Sequence, residues 1–246
     1  MGETTIINLS RLMALERKLD VVANNVANSD TVGFRARQPT FQEYLSPAKE
    51  GEEPSKKERP VSLVDAGLSF TDTSRGAIKL TGNPLDIAIN GEAYFVVKTE
   101  QGDQYTRDGS FTLDGAGRLV TGDGKPVMTE SGVLTVPLRE GDITIGADGA
   151  ISNKKGVLGR LRLVSFDGVQ SLRPSGANLL RTDRPPVAVR PGSVQLVAGA
   201  LEKSNVQPVF EMSRLSEMTR SYEMASGLLK NSQNPDDLNK LANVPE

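Results

Sequence analysis

Residues 11–28, RLMALERKLDVVANNVAN, form a long amphipathic stretch near the start of the chain. Its apolar residues recur at alternating intervals of three and four positions, which places them on one face of an α-helix. These residues are Leu12, Leu15, Leu19, Val22 and Val26. Because an apolar face of this length is unfavourable in water, the helix requires a partner that buries it.

The same spacing returns near the other end of the chain, in RLSEMTRSYEMASGLL, residues 214–229. The apolar positions there are Leu215, Met218, Tyr222, Ala225 and Leu229. Pro208 precedes this pattern and suits the first turn of a helix, where no backbone N–H is needed. The simplest arrangement buries the two faces against each other, or against the same helices in neighbouring copies.

Between the two ends, from about residue 76, the apolar period changes to two and Asp-Gly pairs punctuate the short apolar runs. Asp-Gly between such runs is a strong hairpin signal. The sequence therefore predicts an α+β fold: a mainly antiparallel β central domain with N- and C-terminal α-helices that pair as a coiled-coil-like bundle.

The composition along the chain predicts four regions. Residues 1–34 together with 199–234 form the terminal helical domain, 35–75 an extended linker, 76–198 the β-rich domain, and 235–246 a flexible tail. The linker contains the charged, proline-containing run SPAKEGEEPSKKERP, which is typical of a solvated loop.

The composition argues against most kinds of enzyme. The 246-residue chain has no histidine and no cysteine, so a serine–histidine triad, a thiol nucleophile and the usual zinc ligands are excluded. Seven of the fifteen aspartates precede or follow glycine, where they act as turn formers. A pair of carboxylates that hydrolyses a glycan is not excluded by sequence alone. We expect no catalytic residue, no cofactor and no bound metal.

Charge and hydropathy limit the partners. The formal charge of −2 gives no reason to expect a nucleic-acid partner, and no apolar run approaches the length of a membrane span. The first residues, MGETTIINLS, lack a basic region and a long apolar core, so we expect no cleaved secretory signal peptide.

Polar and turn-forming residues end the first amphipathic stretch. Asn24, Asn25 and Asn28 are poor helix formers, and their pattern fits either a solvated, fraying helix end or amide hydrogen bonds to another packed chain. Gly33 then breaks the helix, and Phe34 follows as a candidate aromatic anchor.

Three stretches together resemble the bacterial flagellar rod and hook family. The first is LDVVANNVANSDTVGFRARQPTF, residues 19–41. The second is the entry into the β domain, residues 76–97 and 105–127, and the third is GALEKSNVQPVFEMSRLSEMTRSYE, residues 199–223. Within the family, the chain looks most like proximal-rod members, with distal-rod or hook-type axial proteins as the alternative.

The resemblance implies a structural subunit that self-assembles helically through its terminal helices, with the β domain facing outward. It also implies that the partners are further copies, other rod proteins and the flagellar type III export apparatus, and that the location is the periplasm-spanning rod of the basal body. On this view the three asparagines make inter-helix hydrogen bonds, Gly33 permits a bend and Phe34 anchors it. A less favoured hypothesis is a periplasmic β domain that binds or hydrolyses glycan.

Overall fold

A computed structural model describes residues 3–45, 62–136, 143–166, 172–190 and 192–232. It shows the predicted α+β fold, with a helix at each end of the described chain and strands between them. The chain forms two compact units. The helical unit combines Met1–Ala27, Arg37–Phe70 and Gln207–Glu246, and the β unit combines Asn28–Ala36 with Thr71–Val206.

The helical unit contains helix α1 (Glu3–Ala27) and helix α2 (Pro208–Ser232). Helix α2 begins at Pro208, as predicted, and Glu211 lies in its first turn, where a negative charge is favourable. The two helices are in contact with each other. Neither helix of the described chain has an apolar stretch of the length that a bilayer requires.

Two further strands belong mainly to the helical unit, β1 (Arg37–Leu45) and β2 (Ser62–Thr71), and they pair as a two-stranded sheet. The region predicted as an extended linker therefore contains paired strands. The charged run between these strands lies outside the described residues.

The β unit is built from short strands, β3 to β19. Their bounds are β3 Ile78–Leu80, β4 Ile87–Asn90, β5 Tyr94–Thr99, β6 Gly102–Thr106, β7 Phe111–Leu113, β8 Leu119–Thr121, β9 Met128–Thr129, β10 Gly132–Val133, β11 Thr144–Ile145, β12 Ala150–Asn153, β13 Gly156–Arg160, β14 Leu163–Ser165, β15 Arg173–Pro174, β16 Leu180–Arg181, β17 Val187–Ala188, β18 Gln195–Ala198 and β19 Ala200–Glu202.

The largest sheet has six strands in the order β15-β16-β6-β5-β14-β17. Strand β12 lies between β11 and β13 in a three-stranded sheet, and the pairs β4–β18, β3–β19, β7–β8 and β9–β10 form two-stranded sheets. All of these pairs are antiparallel, as the alternation of short apolar runs and turns predicts.

Strand β5 separates two hydrophobic cores. Phe95 packs into a large cluster with Phe111, whereas its neighbours Tyr94 and Val96 belong to a second cluster with Tyr105. Successive side chains of a strand point to opposite faces, so a strand that is covered on both faces is apolar throughout. This explains why Tyr94–Val97 is a continuous apolar run and departs from the two-residue period.

Aspartates form turns in the β unit, as predicted. The Asp114 carboxylate accepts the backbone N–H of Ala116 at 2.9 Å and that of Arg118 at 2.8 Å, and so closes the β7–β8 hairpin. These hydrogen bonds lower the pKa of Asp114. Asp148 accepts the N–H of Ala150 at 3.2 Å in the turn before β12.

Candidate functional site

The apolar residues predicted to join the terminal helices are here called the seam. All of them are buried or half-buried on α1 and α2. Val22 and Leu229 are buried. The other seam residues are half-buried: Leu12, Leu15, Leu19, Val26, Leu215, Met218, Tyr222 and Ala225. Because half-buried apolar positions retain accessible surface, further packing would gain additional hydrophobic free energy.

Asn25 connects three elements of the helical unit. Its side chain is 2% exposed, and its Oδ1 accepts the backbone N–H of Arg37 at 2.9 Å. Its Nδ2 donates to the carbonyl of Arg37 at 2.9 Å and to Glu211 Oε2 at 3.1 Å. The amide thus pairs with the backbone at the start of β1 as a neighbouring strand would, while also joining α1 to α2.

Glu211 completes this polar contact. Its side chain is buried, and the oxygen that Asn25 does not contact accepts a hydrogen bond from Arg214 Nη1 at 2.9 Å. Partial burial also lowers the pKa of the Arg37 guanidinium. A satisfied buried polar contact between apolar faces fixes the register of two helices, because any other register leaves its groups unpaired.

The other two asparagines lie elsewhere. Asn24 is exposed on α1. Asn28 follows α1, and its Oδ1 accepts a hydrogen bond from Thr31 Oγ1 at 3.2 Å in the turn after the helix. The predicted roles of these two residues in contacts between subunits stay predictions.

Gly33 and Phe34 occupy the N-terminal segment of the β unit. Gly33 has a φ of +65°, and its N–H donates to the carbonyl of Glu202 at 2.8 Å. Phe34 is buried, and its carbonyl accepts the N–H of Asn205 at 3.3 Å. Both residues therefore lie where this segment meets Glu202, the last residue of β19, and Asn205, which follows it. Their roles as a bend and an anchor stay predictions.

Replacing Gly33 by alanine is expected to destabilise the β unit by more than about 2 kcal/mol. A Cβ at this position would lie 2.6 Å from the backbone carbon of Arg107 and 2.6 Å from the nitrogen of Asp108. The left-handed φ alone costs a non-glycine residue about 1–2 kcal/mol, and displaced backbone adds to this. Denaturant titration of the full chain measures the loss.

Gly82 provides the matched control for this substitution. Its φ is +79°, but an added Cβ meets nothing within 4 Å. Gly82→Ala therefore incurs only the backbone cost, about 1–2 kcal/mol. Equal losses for the two variants would contradict the close approach of Gly33 to Arg107.

A buried charged cluster holds the same region of the β unit. Arg107 Nε donates to Glu202 Oε2 at 2.8 Å, and Nη2 lies 2.6 Å from the same oxygen. Nη1 donates to the carbonyls of Gly91 at 2.9 Å and Ala93 at 2.6 Å. Arg35 Nη2 lies 3.7 Å from the other oxygen of Glu202. These contacts form the Arg35–Arg107–Glu202 cluster.

Burial and ion pairing shift the pKa of Arg107 in opposite directions. Burial lowers the pKa of Arg107, and the negative charge of Glu202 opposes that shift. The Arg107 guanidinium also lies 5.7 Å from the ring centroid of Tyr94, within reach of a cation–π contact. Because Glu202 balances one of two buried arginines, the cluster depends strongly on this carboxylate.

Asn205 ties the two chain segments that enter and leave the β unit. Its Oδ1 accepts the N–H of Ala36 at 2.7 Å, and its Nδ2 donates to the carbonyl of Ser74 at 3.0 Å. The sequence predicted Asn205 only as a residue near the start of the second helix, and it predicted neither these hydrogen bonds nor the charged cluster. Local signals are weak: Glu202 follows the largely apolar stretch QLVAGAL, residues 195–201, whereas Arg107 lies among polar residues in QYTRDGS, residues 104–110.

Within the residues that the structure describes, no three acidic side chains converge as metal ligands would. Two open clefts of the β unit each have one carboxylate in their lining, Glu92 in one and Glu100 in the other.

Comparison with known proteins places these features in a family. Residues 7–35 match the family described as flagella basal body rod protein, and residues 197–238 match the flagellar basal body rod FlgEFG protein C-terminal family. Residues 88–153 match the flagellar hook protein FlgE/F/G D1 domain. The flagellar basal-body rod protein FlgF of Caulobacter vibrioides is 38% identical over 237 residues, covering 94% of both chains.

The chain belongs to the flagellar basal-body rod protein family. FlgF of Rhizobium meliloti is also 38% identical, over 92% of both chains, whereas the rod protein FlgG of Bacillus subtilis is 32% identical over 96% of both. The chain is thus a structural rod protein of the FlgF type. Arg35, Arg107 and Glu202 each fall within a different one of the three matched segments.

Proposed function

We propose that the chain is a proximal-rod subunit that assembles helically through its terminal helices into the hollow, torque-transmitting shaft. The observation that carries this proposal is the contact between α1 and α2. The seam residues of both helices are buried or half-buried, and Asn25 of α1 donates a hydrogen bond to Glu211 of α2. Family matches at both ends of the chain support the same role.

The helices pair in this proposal as an antiparallel, coiled-coil-like bundle. The Asn25–Glu211 hydrogen bond brings the end of α1 to the start of α2. Both helices rise equally per residue, so counting away from this bond places Leu19 near Met218 and Leu15 near Tyr222. Seam residues of the two helices then lie at matching levels.

The same proposal includes the location and the partners. The subunit lies in the periplasm-spanning part of the basal body, contacts further copies and other rod proteins, and is exported by the flagellar type III apparatus without a cleaved signal peptide. Nucleic acid and membrane insertion have no part in it. The family resemblance supports these statements.

The chain acts without catalysis in this proposal. A glycosidase needs two carboxylates facing one cleft, whereas each of the two open clefts described above has one. The acidic residues Asp114 and Asp148 are engaged in turns.

Electron microscopy of basal bodies from cells that lack this chain tests the proposal. We expect rods that stop close to the inner membrane, and restoration when the gene is returned. Labelled chain should then be found at the membrane-proximal level. Complete rods without the chain would contradict the proposal, and label at the far end would favour the distal-rod alternative, which the similarity to FlgG supports.

A further inference from the structure

Both terminal helices expose apolar residues outside the seam. Leu9 and Met13 of α1 are at least half exposed. On α2, Phe210, Met224 and Leu228 are about two-thirds exposed and lie on one side of the helix. Single exposed apolar side chains are ordinary, but groups on one side of a helix are typical of a surface that a partner buries.

Two further apolar residues of α2 are exposed away from the centre of this group. Val209 is 76% exposed at its margin, and Met212 is 58% exposed on a different side of the helix.

The outer faces are defined by their exposed residues. The α1 outer face consists of Leu9, Met13, Glu16, Asp20 and Ala27. The α2 outer face consists of Phe210, Ser213, Glu217, Met224 and Leu228. At roughly 100° per residue, each outer face lies about 110–130° around its helix from the seam, in opposite rotational senses on the two helices. In an antiparallel pair, this puts the two outer faces on opposite sides.

Serine hydroxyl groups of α2 already donate hydrogen bonds to backbone carbonyls of the same helix. Ser213 Oγ donates to the carbonyl of Val209 at 3.0 Å, and Ser221 Oγ donates to that of Glu217 at 3.0 Å. Burying these small side chains against another helix therefore leaves no unpaired hydroxyl donor, and the usual cost of burying a polar group is avoided.

The two outer faces complement each other. When α1 of one copy runs antiparallel to α2 of another with Leu9 at the level of Leu228, Met13 meets Met224. In the same register, exposed Glu16 lies beside exposed Arg220.

Further along this register, Ala27 meets Phe210, a small residue against a large one. Asp20 and Glu217 form an unfavourable pair, because two negative charges then lie opposite each other along the two helices.

We propose, resting on the function proposed above, that the α2 outer face binds the α1 outer face of a second copy of this chain. Because the two faces lie on opposite sides of one helix pair, each copy can bind one neighbour on each side. Such a head-to-tail contact is heterologous, and when its rotation does not close a ring it generates the open helical array that the proposed rod requires.

The absence of cysteine from the chain permits a direct test. Two tagged copies of different size, one Met13→Cys and one Met224→Cys, are expressed together in cells that lack the native chain. Basal bodies are isolated and oxidised, and disulfide-linked products are separated by size and identified by mass spectrometry. We expect a mixed dimer of the two copies.

Thr219→Cys replaces Met224→Cys in the matched control, because Thr219 is exposed on the other side of α2. The mixed dimer should then be lost. Equal yields from both pairs would contradict the proposal that the α1 outer face of a second copy binds the α2 outer face. Adducts of Met224→Cys with a different rod protein alone would contradict it as well.

Charge variants give a second readout. Arg220→Glu should lower the yield of the mixed dimer by about two- to threefold, as for an exposed ion pair, and Glu16→Arg in the partner copy should restore it. Glu217→Lys should raise the yield. If none of these substitutions changed the yield of the mixed dimer, the proposed register would be wrong.

The result also separates this inference from the proposed function. Basal bodies that contain the chain but give no mixed dimer would leave the rod function standing and reject the contact. Basal bodies without the chain would reject both.

Discussion

Substitution of Leu215 by aspartate is expected to abolish incorporation of the chain into rods. Leu215 is a half-buried seam residue of α2, and a carboxylate there would be pressed against apolar side chains without a partner. The combined loss of apolar burial and unpaired charge is about 3–5 kcal/mol, which is enough to prevent a marginal helix pair from forming. The measurement is the amount of chain in isolated basal bodies, together with swimming in soft agar.

The β unit should remain folded in this variant, because Leu215 belongs to the helical unit. Near-ultraviolet circular dichroism of the purified chain checks this through the tyrosines of β5 and β6. Thr219→Asp, one turn further along α2 at an exposed position, is the matched control and should assemble nearly normally. Normal rods from Leu215→Asp would reject the seam as the assembly surface.

Glu202→Gln is expected to destabilise the β unit by about 3–5 kcal/mol, the range found when one member of a buried ion pair is removed. The substitution leaves Arg107, which is 2% exposed, without the carboxylate that lies 2.6 Å from its Nη2. It also leaves Arg35 as a second buried cation with no opposing charge in the Arg35–Arg107–Glu202 cluster. Denaturant unfolding of the full chain, followed by tyrosine fluorescence, reports the change.

An exposed ion pair supplies the comparison. Arg118 Nε lies 2.7 Å from Asp114 Oδ2, a distance close to that in the buried cluster, but the Arg118 side chain is 47% exposed. Arg118→Gln should therefore change the free energy of unfolding by about 1 kcal/mol or less. If Glu202→Gln were equally mild, burial would not be what makes the cluster important.

Several features of the fold could be predicted because they depend on local patterns. The three-four spacing of Leu12 to Val26 and of Leu215 to Leu229 predicted both helices, and Pro208 predicted where the second begins. Asp-Gly pairs predicted turns such as the one at Asp114. The run Tyr94–Val97 departed from the two-residue period because β5 is covered on both faces, a property of its neighbours in space.

The sequence by itself determined two amphipathic helices flanking an antiparallel β region, since helix period, turn chemistry and strand alternation are properties of neighbouring residues. Only the tertiary structure decided that Asn25 bonds to Glu211, 186 positions away, and that Arg107 bonds to Glu202, 95 positions away. Such pairs depend on the path of the whole chain. These pairs matter because a buried polar or charged group without a partner costs free energy, and the groups become buried only when the distant segments pack together.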